Sequence, residues 1–262
     1  MPIRIEKDGP VWTIVHSRFD ARNAMDPTHA KALHDAFLEF DSDDSAMIAI
    51  LWGEGGCFCA GWDLKQAAEL ADPNAMDIYD YPATGEASSA PMGLSRLEMS
   101  KPVLAAIAGP AVAGGMELAL WADMRVMEDS AYMGVYCRRW GVPLIDGGTV
   151  RLPRMVGEGR AMDLILTGRC VDAEECLRIG LCEYVVPEGK ALEKAKELAV
   201  SLTKFPQSCM NADRWSVRNQ HGLKERDAIR QEWENSRDEV LKVGAAGAAR
   251  FVKGAGRSGK FD

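Results

Sequence analysis

Two unbroken apolar stretches of strand length, each running into glycine, constrain this chain more than any other feature. Ala46 to Trp52 leads into Gly53-Glu54-Gly55-Gly56, and Pro102 to Ala108 leads into Gly109-Pro110. A strand with one face in water alternates apolar and polar residues. One that is apolar at every position is buried on both faces, as in sheets covered by helices. Strands of that kind are joined by helical crossovers, so the chain reads as α/β.

The segments around these runs agree. Val11-Trp12-Thr13-Ile14-Val15 has strand composition. Asp26-Pro27 offers an N-cap and a proline at the first helical position, and Ala32, Leu33, Ala36, Phe37 and Phe40 then recur on one face. Gly114-Gly115 precede a helical run from Met116 to Ala122, and Arg125-Val126-Met127 reads as another strand. Residues 68–95, with Pro73, Pro82, Gly85 and Pro91, are irregular. They read equally as a mobile segment covering a substrate or as a surface excursion. From Glu188 onward the pattern is helical, with breaks expected near Pro206, Gly222 and Gly244. This divides the chain into an α/β core over 1–195 and a helical region over 196–262 for packing and oligomerisation.

Length and charge remove several classes of function. At 262 residues the chain suits one large domain, and its net charge of −8 opposes nucleic acid and anionic membrane as partners. No apolar run reaches the length of a membrane span. Met1 to Ser17 reads as an alternating strand containing Glu6, Lys7 and Asp8 rather than a signal peptide, so a cytoplasmic location is expected. The seven cysteines are scattered and odd in number, which suits free buried thiols. Cys57 and Cys59 form a C-x-C pair, but no second pair with zinc spacing follows, so no metal is expected.

The two glycine turns carry the chemistry. In Gly53 to Leu64 small residues let backbone N–H groups approach a ligand closely. In Ala108 to Leu118 a loop delivers the chain to a helix start, where N–H groups are unpaired and the dipole favours negative charge. Two N–H groups converging on one carbonyl would stabilise an enolate or tetrahedral oxyanion, each by roughly 3 kcal/mol. Neither turn reads G-x-G-x-x-G, so a dinucleotide site fits poorly. Glu117 follows Gly114 by one helical turn, and helical side chains lean toward the N-terminus, so its carboxylate reaches back toward whatever the turn holds. A glutamate in a first turn is also a common helix stabiliser.

In order and separation these stretches resemble the crotonase (enoyl-CoA hydratase/isomerase) superfamily over nearly the whole chain. The match includes Arg22-Asn23-Ala24, Phe58 to Leu64, Lys101 to Gly109 and Ala113 to Ala119. It continues through Gly147 to Pro153, Leu166 to Arg169, Ala173-Glu174-Glu175 and Gly180-Leu181. The resemblance implies a spiral of β-β-α repeats with a C-terminal helical region, forming trimers or hexamers built as dimers of trimers. It implies acyl-CoA thioesters as substrates, with coenzyme A entering only as part of the substrate and no other cofactor. It makes the backbone N–H groups of Phe58 and Gly114 the oxyanion donors, and places an adenine pocket along Ala60, Gly61, Asp63 and Leu64. Arg22 becomes a contact for CoA phosphate, with Arg250, Lys253 and Arg257 as further basic contacts, although each also reads as solvated surface.

One position departs from the family pattern. The second glutamate of a typical hydratase, about twenty residues after the first, corresponds here to Cys137. A thiol with an ordinary pKa near 8.5 is a poor replacement for a carboxylic acid. Arg138 and Arg139 could lower that pKa, but none of the four histidines is close in sequence to activate a nucleophile, so Cys137 reads as a residue lining the substrate site. Asp146, before Gly147-Gly148, matches an aspartate found in some isomerase members, and equally suits a turn. The expected enzyme is of enoyl-CoA hydratase/isomerase type, with Glu117 as main acid/base and Asp146 as its partner. Dienoyl-CoA isomerisation, decarboxylation and thioester hydrolysis remain open, as does a CoA-binding protein with little turnover. RNA binding, which a few members display, is opposed by the acidic charge.

Overall fold

The computed structural model describes residues 3–68, 76, 79–81 and 89–256. The strands are β1 (Ile3–Asp8), β2 (Val11–His16), β3 (Ile48–Gly53), β4 (Val103–Ile107), β5 (Pro110–Val112), β6 (Met124–Glu128), β7 (Tyr132–Gly134), β8 (Val171–Asp172) and β9 (Tyr184–Val186). Six make one sheet in the order β1-β2-β3-β4-β6-β9, and β5-β7-β8 make a second, smaller one. Only the β1–β2 pair is antiparallel in the large sheet. Its remaining strands run parallel and require crossovers.

Both apolar runs lie at the centre of this sheet, as their composition demands. In β3, Ile48 and Ile50 face one side while Ala49 and Leu51 face the other, and both sets are buried. On the first side lies α7 (Ala191–Leu202), whose small residues Ala191, Ala195 and Ala199 let it approach closely. On the opposite side lie α1 (Pro27–Ser42) and α3 (Gly114–Trp121). Helix α1 starts where the sequence signal predicts: Asp26 accepts a hydrogen bond from the His29 N–H at 2.8 Å, and Pro27 occupies the first turn.

The other helices are α2 (Leu64–Ala68), α4 (Gly148–Val156), α5 (Glu158–Thr167), α6 (Ala173–Ile179), α8 (Gln207–Asn219), α9 (Glu225–Glu239) and α10 (Ala245–Val252). Residue 195, where the sequence suggests a division, falls in the middle of α7, which covers the sheet. The helical breaks expected near Pro206 and Gly222 are present. At Gly244 the chain does not break: residues Val240–Gly244 form a π-helical turn that continues into α10. Helix α8 is tied to the core by Arg214 and Arg218, which pair with Asp123 at 2.9 and 2.7 Å. Neither α8 nor α9 contains a buried residue. No helix among the described residues is long and apolar enough to cross a membrane.

Most of the irregular 68–95 stretch, including Pro73, Pro82 and Gly85, lies outside the described residues. Its last part is described and turns inward: Ala90, Met92 and Leu94 are buried.

Candidate active site

Backbone pairing joins the two glycine turns directly. Cys59 and Ala111 form a parallel bridge in which the Cys59 N–H donates to Pro110 O at 3.1 Å and the Val112 N–H to Cys59 O at 3.0 Å. This closeness needs glycine. A Cβ on Gly115 would sit 2.0 Å from Cys59 O, and one on Gly61 would sit 2.9 Å from the Gly114 nitrogen. On its other side the first turn is stitched to residues 22–25. The Ala60 N–H donates to Arg22 O at 3.1 Å, Met25 N–H to Gly61 O at 2.7 Å and Asp63 N–H to Met25 O at 2.8 Å.

Beside this junction opens a cleft. Ala60, Leu64, Gly114, Glu117, Cys137 and Asp146 line it together, although they come from distant parts of the chain. Trp62, Tyr136 and Trp140 add aromatic wall, and Pro91 and Met92 come from the end of the irregular stretch. The buried indole N–H of Trp62 has no acceptor among the described residues. Phe58 is fully buried and, like Gly61, is not among the cleft-lining residues. No acceptor is found for its N–H, or for that of Gly114, among the described residues.

Glu117 is the only ionisable residue of α3, a helix buried along its whole length. One carboxylate oxygen, Oε1, accepts from the Asp146 N–H at 3.0 Å and the Gly148 N–H at 2.8 Å. The side chain is thereby fixed where it lines the cleft. Burial, followed by the nearby Asp146 charge, pushes its pKa up to about 7, against the pull of those two N–H groups. A carboxyl held there exchanges protons near neutral pH.

Asp146 is 4% exposed, and its Oδ1 accepts from the Met92 N–H at 3.1 Å and from Ser95 Oγ at 2.5 Å. Burial pushes its pKa up, opposed by the hydroxyl of Ser95. Arg151 braces the pair from behind, donating to Asp146 O at 3.0 Å and to Ser95 O at 2.6 Å. Ser95, Met92 and Arg151 escape sequence reasoning, because the first two lie in a segment without periodicity and over 50 residues from Asp146. Arg151 sits within a stretch that carries the family resemblance, but nothing in its spacing indicates this contact.

Cys137 lines the cleft, and its thiol pKa is raised, chiefly by burial and then by the Glu117 charge. Arg138 does pull the thiol down, as expected, but burial and the Glu117 charge outweigh it. Arg138 spends its Nε on Ile165 O, and Arg139 stacks on the Tyr136 ring at 3.6 Å. Asp63 and Arg22 are not among the cleft-lining residues. The Asp63 carboxylate caps α2 through the Lys65 N–H at 3.0 Å and pairs with Arg18 at 2.7 Å. Arg22 is exposed on the adjacent turn in the left-handed region, with φ 52°. Arg250 and Lys253 are exposed at the end of the chain, and Arg257 lies outside the described residues. Cys57, Cys59, Cys137, Cys176 and Cys182 are free and buried, whereas Cys170 and Cys209 are exposed.

A family model described as enoyl-CoA hydratase/isomerase matches residues 6–246. Among curated proteins, the enoyl-CoA hydratase EchA19 of Mycobacterium tuberculosis is 34% identical over 227 residues, covering 86% of this chain and 84% of its own. A carnitinyl-CoA dehydratase from Salmonella arizonae is 39% identical over 202 residues, covering 76% and 74% respectively. Among solved structures, the enoyl-CoA hydratase EchA1 from Mycobacterium marinum superposes with a TM-score of 0.86 at 28% identity, covering 96% of each chain. That of an enoyl-CoA hydratase from Bacillus anthracis gives 0.86 at 26% identity, over 97% of this chain and 96% of the other.

Proposed function

Since the chain belongs to the enoyl-CoA hydratase/isomerase family and is an enzyme of that crotonase-fold class, we propose that it works on an acyl-CoA thioester through an enolate held in a backbone oxyanion hole. Glu117 carries the reading. It is the one carboxylate on a fully buried helix, aimed by two backbone N–H groups and held near pH 7.

In this scheme the thioester carbonyl accepts from the N–H groups of Phe58 and Gly114. Charge developing on its oxygen meets donors already oriented, in a site where they cost no reorganisation. The free oxygen of Glu117 removes or returns a proton at carbon next to the thioester. Asp146 keeps the Glu117 pKa high by its charge and shares the cleft as the second acid/base. The CoA moiety runs along the backbone of Ala60 to Leu64, with Arg22 and the basic residues near the C-terminus toward its phosphates.

Cys137 favours a second reading within the same class. A protonated thiol in the same cleft as Glu117 neither activates water nor protonates carbon well. With one principal base, proton removal and return along the same face moves a double bond without adding water. The exposed apolar side chains of α9 and the following turn, such as Ile229, Trp233 and Leu241, support a trimer or a dimer of trimers that covers them.

The test is loss of the enoyl-thioester absorbance of crotonyl-CoA with wild type, Glu117→Gln and Asp146→Asn. Hydration that falls with both substitutions supports the carboxylate pair. Absence of hydration with acyl-CoA binding intact rules out simple water addition, and product trapping across a panel of acyl-CoAs then identifies the isomerisation or other thioester reaction.

A further inference from the structure

The Phe58 N–H belongs to the peptide group whose carbonyl is that of Cys57. The following peptide carries the Phe58 carbonyl. Each of these two carbonyls is gripped by a different buried side chain. The Asn23 Nδ2 group donates to Cys57 O at 2.6 Å, and its second hydrogen goes to Glu54 O at 2.8 Å. His16 Nε2 lies 2.7 Å from Phe58 O. A carbonyl only accepts, so Nε2 bears the hydrogen in that contact. Both side chains are 0% exposed.

Neither residue is placed there cheaply. Asn23 holds a left-handed backbone, φ 57°, and its own Oδ1 accepts from the Arg18 N–H at 2.7 Å, so all three of its hydrogen bonds point at main chain. His16 ends β2 with its Nδ1 buried and without a partner among the described residues. A buried polar atom left unpaired costs roughly 1–3 kcal/mol. An apolar residue would fill the position without that cost, which suggests that the bond to Phe58 O matters.

We propose that Asn23 and His16 are positioning residues for the oxyanion donor: they clamp and polarise the two peptides flanking Phe58, so that its N–H points at the thioester carbonyl. In a trans peptide the N–H and C=O point in opposite directions. A donor on the Cys57 carbonyl therefore strengthens the Phe58 N–H as a donor on the other side, by about 10–30% per bond. The His16 contact stops the next peptide from rotating. The proposal rests on the oxyanion reading above, and its test separates the two.

The probe is 2,4-hexadienoyl-CoA, whose absorbance moves to longer wavelength when hydrogen bonds draw electrons toward its thioester carbonyl. Bound to wild type it shifts red. Asn23→Gly accepts a φ of 57° but lacks the amide, and loses roughly 10–30% of that shift. His16→Leu loses a smaller part, and His16→Gln, which restores an N–H at similar reach, recovers it. Both variants leave buried main-chain groups unpaired and lower the melting temperature, but affinity for free CoA stays near wild type and the spectrum returns with His16→Gln, a pattern that a merely structural role would not give. Full red shift in both Asn23→Gly and His16→Leu overturns the proposal and leaves the oxyanion hole standing. A wild type that fails to bind the probe, or binds it without a shift, overturns the oxyanion reading and this proposal with it. Should Asn23→Gly fail to fold, the His16→Leu and His16→Gln pair decides alone.

Discussion

Helices α3 and α9 both carry a glutamate in the first turn, and they treat it in opposite ways. In α3 all eight residues are buried, and Glu117 is the single charge. In α9 none of the fifteen residues is buried, and charges recur along its length, with Arg230 and Asp227 pairing at 2.9 Å. The exposed Glu232 carboxylate of α9 is solvated and close to neutral in energy, whereas the one in α3 is desolvated at a cost the fold must carry. A charge kept where it is expensive, and held by two backbone N–H groups in the wall of a cleft, is what the proposed acid/base role rests on.

The comparison breaks most sharply if Glu117 is neutralised. Glu117→Gln keeps an oxygen to accept from Asp146 and Gly148, but cannot exchange a proton. Turnover falls by about 10²–10⁴, the range for loss of a general acid/base. The same change should stabilise the fold. Because the folded pKa of about 7 lies above the ordinary 4.5, the native state holds its proton as pH rises and pays for ionising later. The penalty is absent below pH 4.5, grows between 4.5 and 7, and reaches about 3 kcal/mol at 1.36 kcal/mol per unit. Melting curves of wild type and Glu117→Gln should coincide at pH 4 and separate by several degrees at pH 8. In α9, Glu232→Gln should alter neither melting nor turnover.

The apolar side of α9 sharpens the contrast from the other direction. Ile229 and Trp233, 58% and 63% exposed, are four residues apart and share a face. If a neighbouring copy covers them, Ile229→Lys with Trp233→Lys yields a smaller species on size exclusion and sedimentation while the α/β core keeps its fold. An unchanged mass would remove this face from the assembly.

Asp146 gives a smaller, directional effect. Its charge is the second cause of the raised Glu117 pKa, so Asp146→Asn should move the Glu117 titration below 7. Asparagine still accepts from the Met92 N–H and Ser95 Oγ, which keeps the wall in place. Carbon-13 titration of the Glu117 carboxyl reads this without turnover. A titration that stays at 7 would mean burial alone sets it.

The same two helices show what was legible beforehand. Continuous apolar runs announced the buried parallel strands, and Asp26-Pro27 fixed the start of α1, because both signals are local. Glu117 was legible through its spacing from Gly114. Helix α3 begins at Gly114 and not at Met116: of the two glycines that read as a turn, Gly115 lets the helix touch Cys59 O and Gly114 leaves room for the Met92 side chain. The bridge between Cys59 and Ala111, the grip of Ser95 on Asp146 and the grip of Asn23 on Cys57 join residues 34 to 52 positions apart. No period or spacing encodes such contacts; the sheet creates them by bringing strand ends together. His16 was invisible for a related reason: at the end of a strand, its residue type does not reveal which carbonyl it will meet.

The smallest effect concerns how the two helices begin. Lys224 enters α9 with φ −68° and ψ 144°, an ordinary extended geometry. Ala113 enters α3 with φ 54° and ψ −127°, a region where only glycine is comfortable and a strain of about 1–3 kcal/mol is usual. Ala113→Gly relieves that strain, less about 0.4–1 kcal/mol of added freedom in the unfolded chain, so the net gain is about 1 kcal/mol. The strained turn also delivers the Gly114 N–H, and the Ala113 Cβ lies where a Gly61 side chain would touch it, at 2.8 Å. Removing the Cβ should therefore raise the melting temperature slightly while lowering turnover, because the donor loses its brace. A gain in both would mean that the strain serves no purpose at the site, and that α3 differs from α9 in burial alone.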